Sequence, residues 1–311
     1  MISFIISILV LIIGYFTYGK LVENIFGVQE HRKTPAIRLR DDVDYMPLST
    51  WRVFMIQFLN IAGLGPIFGA IAGAMYGPAA FLWIVLGSIF AGAVHDYFSG
   101  MLSVRHDGLS ISEIVGIYLG PKVKHIMRFF TVILLIFVGT VFLVGPAKII
   151  DGMMGNQWGV WIWVSIILGY YILSTLLPID KLISKLYPIF GIAMLLMALG
   201  LLSALFFGDY HIPELIPENL SNMTTNPEET PLFPMLFVTI ACGAISGFHA
   251  TQSPLMARCI KNEKLGRKIF FGTMITEGIV ALIWAAAAMT FFGNVGELNA
   301  AMLENNNNAA W

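Results

Sequence analysis

The sequence Ala241-Cys-Gly-Ala-Ile-Ser-Gly-Phe-His-Ala-Thr-Gln-Ser-Pro254 lies inside an apolar run that extends from Phe233 to Ile260. Glycines, a proline and several polar side chains interrupt this run, which is otherwise long enough to span a bilayer. In lipid every backbone polar group needs an internal partner, so an irregular stretch is tolerated only where it is buried in protein or lines a cavity. The stretch therefore predicts a binding site within a broken membrane helix.

The composition around this stretch is that of a membrane protein. Of the 311 residues, 57% are hydrophobic and 12% are charged, whereas an ordinary soluble domain has about 25% charged residues. The net charge of −1 gives no reason to expect a nucleic acid partner. The two cysteines, Cys242 and Cys259, lie in one apolar run and indicate neither a disulfide framework nor a zinc site. The expected partners are the lipid bilayer and a small-molecule substrate.

Eight apolar runs have the length of a membrane-spanning helix. They cover Ile2 to Tyr18, Trp51 to Tyr76, Pro78 to Val104, Arg128 to Ala147, Gly159 to Pro178, Tyr187 to Phe207, Phe233 to Ile260 and Lys268 to Phe292. Between them, Ser110 and Glu113 have the spacing of a capping box and predict a short interfacial helix from Ile111 to Leu119.

The basic residues are distributed unevenly between the predicted loops. Of the 18 lysine and arginine residues, all but Lys148 lie in or beside every second loop, and therefore on one side of the eight predicted helices. Because an excess of basic residues near helix ends marks the cytoplasmic side, the N-terminus is predicted to lie outside.

A second apolar run, Trp51 to Tyr76, contains the sequence Asn60-Ile-Ala-Gly-Leu-Gly-Pro66. Pro66 removes a backbone donor and the glycines permit non-helical angles, so this helix is also predicted to be broken. It enters from the inside, the run from Phe233 enters from the outside, and four helices separate them. Two broken helices of opposite direction are typical of inverted-repeat transporters. The predicted all-α architecture resembles the LeuT-like (APC) superfamily of amino acid, polyamine and organocation transporters.

We expect one transmembrane domain over residues 1–311. It would comprise an extra N-terminal helix (1–20), a first five-helix repeat (51–207) and the start of a second repeat (233–311). Only two helices of the second repeat precede the polar segment Glu304 to Trp311. The second repeat is therefore predicted to be truncated.

Three blocks of sequence are similar to signatures of the carbon starvation protein A (CstA) family. They are Asn60-Ile-Ala-Gly-Leu-Gly-Pro-Ile67, Ala91-Gly-Ala-Val-His-Asp96 and Ala241-Cys-Gly-Ala-Ile-Ser-Gly-Phe-His249. The resemblance covers nearly the whole chain, as the N-terminal part of a longer protein. It implies a location in the bacterial inner membrane and import of peptides during carbon starvation, or of pyruvate together with protons. The stretch from Ala250 to Arg258 differs from the Ser/Thr-rich continuation of the best-known members, which leaves the substrate open.

Residues at the two breaks are the candidates for binding the substrate. A half-helix that starts after Gly65 and Pro66 presents free N–H groups and a positive dipole end, which suit a carboxylate. The alternative is that the glycines only permit close helix packing. The candidate substrate-binding residues are Asn60, Gly63, Gly65, Ser246, Gly247, His249, Thr251 and Gln252.

Three ionisable residues at membrane depth are candidates for proton coupling: His95, Asp96 and Glu277. Such groups are costly in a bilayer and usually face a cavity or a transport pathway. The alternative is that they make structural hydrogen bonds between helices. The residues leave sodium coupling open as well.

The resulting hypothesis is a secondary active transporter that imports a small, pyruvate-like carboxylate or short peptides, with protons as the coupling ion. Two alternatives are a membrane-embedded enzyme with a metal held by His95, Asp96, His249 and Glu277, and a nutrient sensor. These four residues lack the spacing of known metal motifs, and no phosphate-binding loop is present. We therefore expect neither an enzyme nor a cofactor, and the oligomeric state is left open.

Overall fold

The computed structural model describes residues 1–176, 179–208 and 210–307, apart from the side chains of 176, 179–186, 242 and 304–307. All regular secondary structure within these ranges is helical, which confirms the all-α prediction. The predicted helix end at Pro178, the side chains of Lys181 and Lys185 and the end of the chain at residues 308–311 lie outside the described residues.

The α-helices follow one another along the whole chain. They are α1 Ile2–Phe16, α2 Tyr18–Phe26, α3 Pro35–Arg38, α4 Thr50–Ala62, α5 Ala70–Ala74, α6 Ala79–Leu86, α7 Ala93–Arg105, α8 Ile111–Leu119, α9 Pro121–Met153, α10 Val160–Leu176, α11 Ile179–Phe207, α12 Phe237–Thr239, α13 Ala241–Ala244, α14 His249–Ala257, α15 Gly272–Phe291 and α16 Val295–Asn307. Helix α8 has the bounds predicted from its capping box. Segments of π-helix cover Gly65–Gly69, Gly87–Gly92, Leu232–Leu236 and Arg267–Phe271, and 3₁₀-helices cover Pro217–Leu220 and Glu263–Leu265.

Among the described residues, five helical segments are long and apolar enough to cross a membrane. They are Ile2–Phe26, Ala79–Arg105, Pro121–Met153, Tyr187–Phe207 and Glu263–Phe291. The bent pair Thr50–Ala62 and Gly65–Ala74 gives a sixth if it is counted as one span. Two of the eight predicted spans differ: α10 is a shorter apolar helix, and the run from Phe233 to Ile260 is divided into short helical pieces. The eight-span, LeuT-like architecture therefore stays a prediction.

The chain divides into two compact units. The first contains Met1–Ile111 and Ser184–Asn299, and the second contains Ser112–Ile183 and the residues from Ala300 onward. In the second unit, α9 and α10 pack against each other. The Tyr171 hydroxyl donates a hydrogen bond to the Phe142 carbonyl at 3.0 Å.

Helix α15 is the centre of the first unit, and residues on almost every side of it are buried. It packs against α1, α4, α5, α6, α7 and α13 and against the π-helical segments at Gly65 and Gly87. Small residues let neighbouring backbones approach closely, as in other membrane helix bundles. At Gly278, for example, a methyl group would lie 2.6 Å from the Ser88 Oγ.

The two ends of the first unit are closed by polar contacts. At one end, the amino group of Met1 pairs with Glu214 at 2.5 Å. At the other end, the Arg105 guanidinium donates to the Gly27 carbonyl at 2.7 Å and pairs with the buried Glu263 at 3.4 Å. Each cluster joins loops that the distribution of basic residues predicts to lie on one side of the membrane. Which of the two sides faces the cytoplasm stays a prediction.

Candidate functional site

The first break follows α4 and has the backbone geometry that its glycines permit. Gly63 has φ 48° and ψ −135°, in a region of backbone conformation that is essentially restricted to glycine. A π-helix begins at Gly65, with Pro66 in its first turn. The two helical parts are bent by 52° relative to each other. The interruption lies within the stretch Asn60 to Pro66 that the sequence indicated.

The second break separates α13 from α14. Residues 245–248 between these helices are not helical, and Ser246 has a left-handed φ of 58°. Helix α14 begins at His249, after Phe248. A serine in this conformation is uncommon and indicates a local constraint.

The two breaks contact each other directly. The Ser246 hydroxyl donates a hydrogen bond to the Ile61 carbonyl in the last turn of α4, at 3.0 Å. Gly243 lies against both Pro66 and α15, because a methyl group added there would be 3.5 Å from the Pro66 Cα and 3.2 Å from the Ala281 Cβ. Residues more than 170 positions apart in sequence thus form one junction next to α15.

A buried polar cluster around Asp96 lies beside this junction. The Gln57 side-chain amide donates to both carboxyl oxygens of Asp96, at 2.9 Å and 3.1 Å. The Ser253 hydroxyl donates a short hydrogen bond to Oδ1. The Thr273 hydroxyl lies 3.4 Å from Oδ2, but its single proton has a nearer acceptor in the Ile269 carbonyl at 2.5 Å. All four side chains are buried. They come from α4, α7, α14 and α15, so the cluster joins both broken helices to α15.

A histidine pair lies next to the Asp96 cluster. The Nδ1 atoms of His95 and His249 are 3.0 Å apart, so a hydrogen bond between them requires a proton on one of the two nitrogens. His95 is exposed, whereas His249 is buried and its Nε2 has no partner among the described residues. His249 and Ser253 are one turn apart on α14, and each contacts one member of the predicted pair His95 and Asp96.

Glu277 is buried in α15, and neither of its carboxyl oxygens has a hydrogen-bond partner among the described residues. Residues four apart on a helix lie on one face. Glu277 is therefore one turn beyond Thr273, which contacts Asp96, and one turn before Ala281, which contacts Gly243. This carboxyl group lies between the Asp96 cluster and the junction of the two breaks.

The remaining predicted residues make fewer contacts. The Thr251 hydroxyl donates to the Phe248 carbonyl just before its own helix, at 3.1 Å. The half-buried side chains of Asn60 and Gln252 have no hydrogen-bond partner in the part of the chain that the structure describes. Gly247 is exposed, and no heavy atom lies within 4 Å of a methyl group placed on it. Within the described ranges, no group of three or more His, Cys, Asp or Glu residues is arranged to hold a metal ion.

Gln57, Ser253 and Thr273 were not among the predicted site residues. Each is a polar residue inside an apolar helix, and helical spacing relates each of them to a predicted residue. Ser253 is four residues after His249, Thr273 is four residues before Glu277, and Gln57 is three residues before Asn60. The contact of Gln57 with Asp96 has no such signal, because Asp96 lies on α7.

These features define a helical integral membrane protein with an internal polar site at two helix breaks. The chain belongs to the carbon starvation protein CstA family, whose model matches residues 1–161 and 157–310. The two matched parts overlap at residues 157–161, from the loop after α9 into the start of α10.

Several curated proteins are similar to this chain over most of its length. An uncharacterized membrane protein of Haemophilus influenzae is 44% identical over 341 aligned positions, which cover 94% of this chain and 92% of the relative. The peptide transporter CstA of Bacillus subtilis is 27% identical, over 90% of this chain and 57% of the relative. The pyruvate/proton symporter BtsT of Escherichia coli is 26% identical, over 91% of this chain and 48% of the relative. No solved structure matches.

The chain spans about half the length of the named transporters. Its alignment with the H. influenzae protein is longer than the chain itself, so that relative contains residues without a counterpart here. The relatives with a named activity are transporters, which agrees with the prediction of a protein that is not an enzyme.

Proposed function

We propose that this chain forms the substrate-binding part of a secondary active transporter for a small carboxylate or a short peptide. The observation that carries the proposal is the junction between the two breaks, joined by the hydrogen bond from Ser246 to the Ile61 carbonyl. Unwound segments of two membrane helices that meet next to buried polar groups are where such carriers bind their substrates. The names of the relatives in B. subtilis and E. coli support a transporter.

The substrate carboxylate is placed at the start of α14. The first backbone N–H groups of a helix have no partner within the helix and carry a positive partial charge, so they favour an anion. Gly247 lies two residues before this helix start and leaves open space around its Cα. A carboxylate approaching there would meet the amide groups after Phe248 and the side chain of Thr251. Pyruvate and the C-terminus of a peptide both supply such a group.

Coupling to protons is assigned to His95, Asp96 and Glu277. These residues lie near one another, because Glu277 is one turn from Thr273, which contacts Asp96, and His95 next to Asp96 contacts His249 on α14. The proposal retains the eight-span LeuT-like architecture, with the N-terminus outside and a location in the bacterial inner membrane. In this scheme alternating access moves the broken helices relative to their neighbours and opens the junction to each side in turn.

The test is uptake into proteoliposomes that contain the purified full-length protein. Labelled pyruvate, dipeptides and tripeptides are offered separately, with and without an imposed proton gradient. Accumulation of one of these substrates that requires both the protein and the gradient is the expected result. A folded protein that gives neither gradient-driven uptake nor exchange of any of them would contradict the proposal.

A further inference from the structure

The two buried carboxyl groups of the site have opposite surroundings. Asp96 receives hydrogen bonds from Gln57 and Ser253, and the Thr273 hydroxyl lies 3.4 Å from it. Neutral donors of this kind stabilise an ionised carboxylate without any bound cation. Glu277 is equally buried, but both of its oxygens lack a partner among the described residues.

A buried carboxylate without a partner is one of the least stable states that a side chain can adopt. The charge has to be neutralised, either by a proton or by a cation. The neutral helices that pack on α15 supply no fixed cation, because α1, α5, α6 and α13 contain no charged residue.

The charged residues on the other neighbouring elements do not neutralise Glu277 either. Asp96 on α7 is itself an acid and cannot neutralise Glu277, and Arg105 at the end of α7 pairs with Glu263. Arg52 is exposed near the start of α4 and precedes Gln57, the α4 residue that contacts Asp96, by more than one helical turn. Arg267 and Lys268 precede Glu277 by nine or more residues, which corresponds to roughly 14 Å along a helix. Arg267 already pairs with Glu23 at 3.2 Å.

The position of Glu277 connects its protonation to the breaks. One turn towards Thr273 lies the Asp96 cluster, and one turn in the other direction Ala281 contacts Gly243 beside Pro66. A second buried group without a partner, the Ser88 hydroxyl, packs against the adjacent Gly278. A change of charge at Glu277 would therefore act directly on the contact between α15 and the second break.

We propose that Glu277 binds and releases the coupling proton, whereas Asp96 remains a hydrogen-bonded carboxylate that positions α4, α14 and α15. The inference rests on the proposed function, because it requires a proton-coupled carrier. It narrows the three coupling candidates to one proton-binding carboxyl group.

The test compares net uptake with exchange in proteoliposomes. In Glu277→Gln the side chain is a neutral substitute for the protonated acid. Gradient-driven accumulation is expected to fall to the level of protein-free vesicles, while exchange of labelled for unlabelled substrate across the membrane persists, since exchange moves no net proton. The matched control is Thr276→Val, at the neighbouring position, where the hydroxyl only bonds to the Gly272 carbonyl of the same helix. This control is expected to retain both activities.

The outcomes separate this inference from the proposed function. If the wild type shows neither uptake nor exchange, the proposed function fails. Two results with an active wild type would show that Glu277 is not the proton-binding group. In the first, Glu277→Gln still accumulates substrate when a proton gradient is imposed. In the second, Glu277→Gln is folded but loses exchange together with uptake. Accumulation by the wild type that follows a sodium gradient instead would also overturn the inference.

A second measurement uses the wild type and needs no variant. A hydrophobic carbodiimide modifies protonated carboxyl groups in apolar surroundings, and peptide mass spectrometry locates the adduct. Modification of Glu277 and not of Asp96 is expected. Modification of Asp96 with Glu277 unmodified would contradict the assignment.

Discussion

The two helix breaks are held open by different means. The first depends mainly on backbone chemistry, because Gly63 adopts angles that are essentially restricted to glycine and Pro66 lacks an amide hydrogen. The second depends on hydrogen bonds: Ser246 bonds to Ile61, and Ser253 bonds to Asp96. A break encoded in the backbone is permanent, whereas a break held by side-chain hydrogen bonds can close or rearrange. We therefore infer that the first break is the fixed wall of the site and the second is the part that moves.

The largest loss of stability is expected for a substitution at the first break. Gly63→Ala places a Cβ on a residue with φ 48° and ψ −135°, and strain of this kind costs about 1–3 kcal/mol. Gly247→Ala is the matched control at the other break, because its surroundings are empty, and its cost is expected to stay within about 0.5 kcal/mol. Thermal unfolding in detergent measures both. Equal stability of the two variants would show that the first break does not depend on glycine.

The next largest loss of stability is expected for Ser253, which anchors the helix after the second break to Asp96 on α7. Ser253→Ala removes one donor from the buried Asp96 carboxylate, and leaving such a group less satisfied costs about 1–3 kcal/mol. Thr251→Ala, on the same helix, loses only the hydrogen bond to the nearby Phe248 carbonyl and is expected to cost less than about 1 kcal/mol of stability. The midpoints of thermal unfolding of the two variants provide the comparison. A smaller loss for Ser253→Ala than for Thr251→Ala would contradict the role of Ser253 as an anchor.

The direction of the stability change in Ser246→Gly, rather than its magnitude, distinguishes two possible roles of Ser246. Glycine adopts the left-handed φ of 58° more readily than serine, so Ser246→Gly would stabilise the protein by roughly 1 kcal/mol if the backbone alone mattered. If the hydrogen bond to Ile61 holds the break, the same variant loses about 1 kcal/mol of bond energy and leaves a buried carbonyl without its donor. We expect a net loss of stability. An increased unfolding temperature would show that the backbone conformation, and not this hydrogen bond, maintains the second break.

The smallest effect lies far from both breaks and serves as a baseline. Hydrogen bonds from the Met1 amino group and from Ser3 outweigh the opposing effect of partial burial and lower the pKa of Glu214 to about 2, from an ordinary value of 4.5. A lowered pKa in the folded state stabilises the protein above pH 4.5, and this contribution disappears as the pH falls towards 2. Unfolding temperatures measured across this range should therefore fall more steeply for the wild type than for Glu214→Gln. Parallel curves for the two proteins would show that the contact contributes nothing.

The sequence indicates the breaks themselves because their causes are local. Glycine, proline and polar residues inside apolar runs are visible in a single chain, and the structure interrupts both helices at those residues. The sequence does not indicate the π-helical segment Gly87–Gly92 in this way. Its first and last glycines lie close to Ala244 on α13. A methyl group at Gly92 would be 2.5 Å from the Ala244 carbonyl oxygen. That constraint comes from packing between distant segments and leaves no local signal.

The site shows the same division between local and long-range causes. His95, Asp96, His249 and Glu277 stand out because charged or polar residues are rare inside membrane helices. Their pairing depends on which helices are neighbours: His95 bonds to His249 and Asp96 to Gln57 only because α7 lies against α14 and α4. The run from Phe233 to Ile260 was predicted as one span, but its pieces are too short because the break and the turn at Ile240 both interrupt it.

The claim that the second break moves against α15 during transport can be tested with one reversible cross-link. The Gly243 and Ala281 positions suit a pair of cysteines, because a Cβ at Gly243 would lie 3.2 Å from that of Ala281, close to the separation of about 3.5–4.5 Å found in disulfides. The variant Gly243→Cys with Ala281→Cys is reconstituted in a background in which Cys242 and Cys259 are alanine, and gradient-driven uptake is measured after oxidation and after reduction. We predict that oxidation stops uptake and reduction restores it. Uptake that continues at the same rate with the disulfide formed would contradict the account.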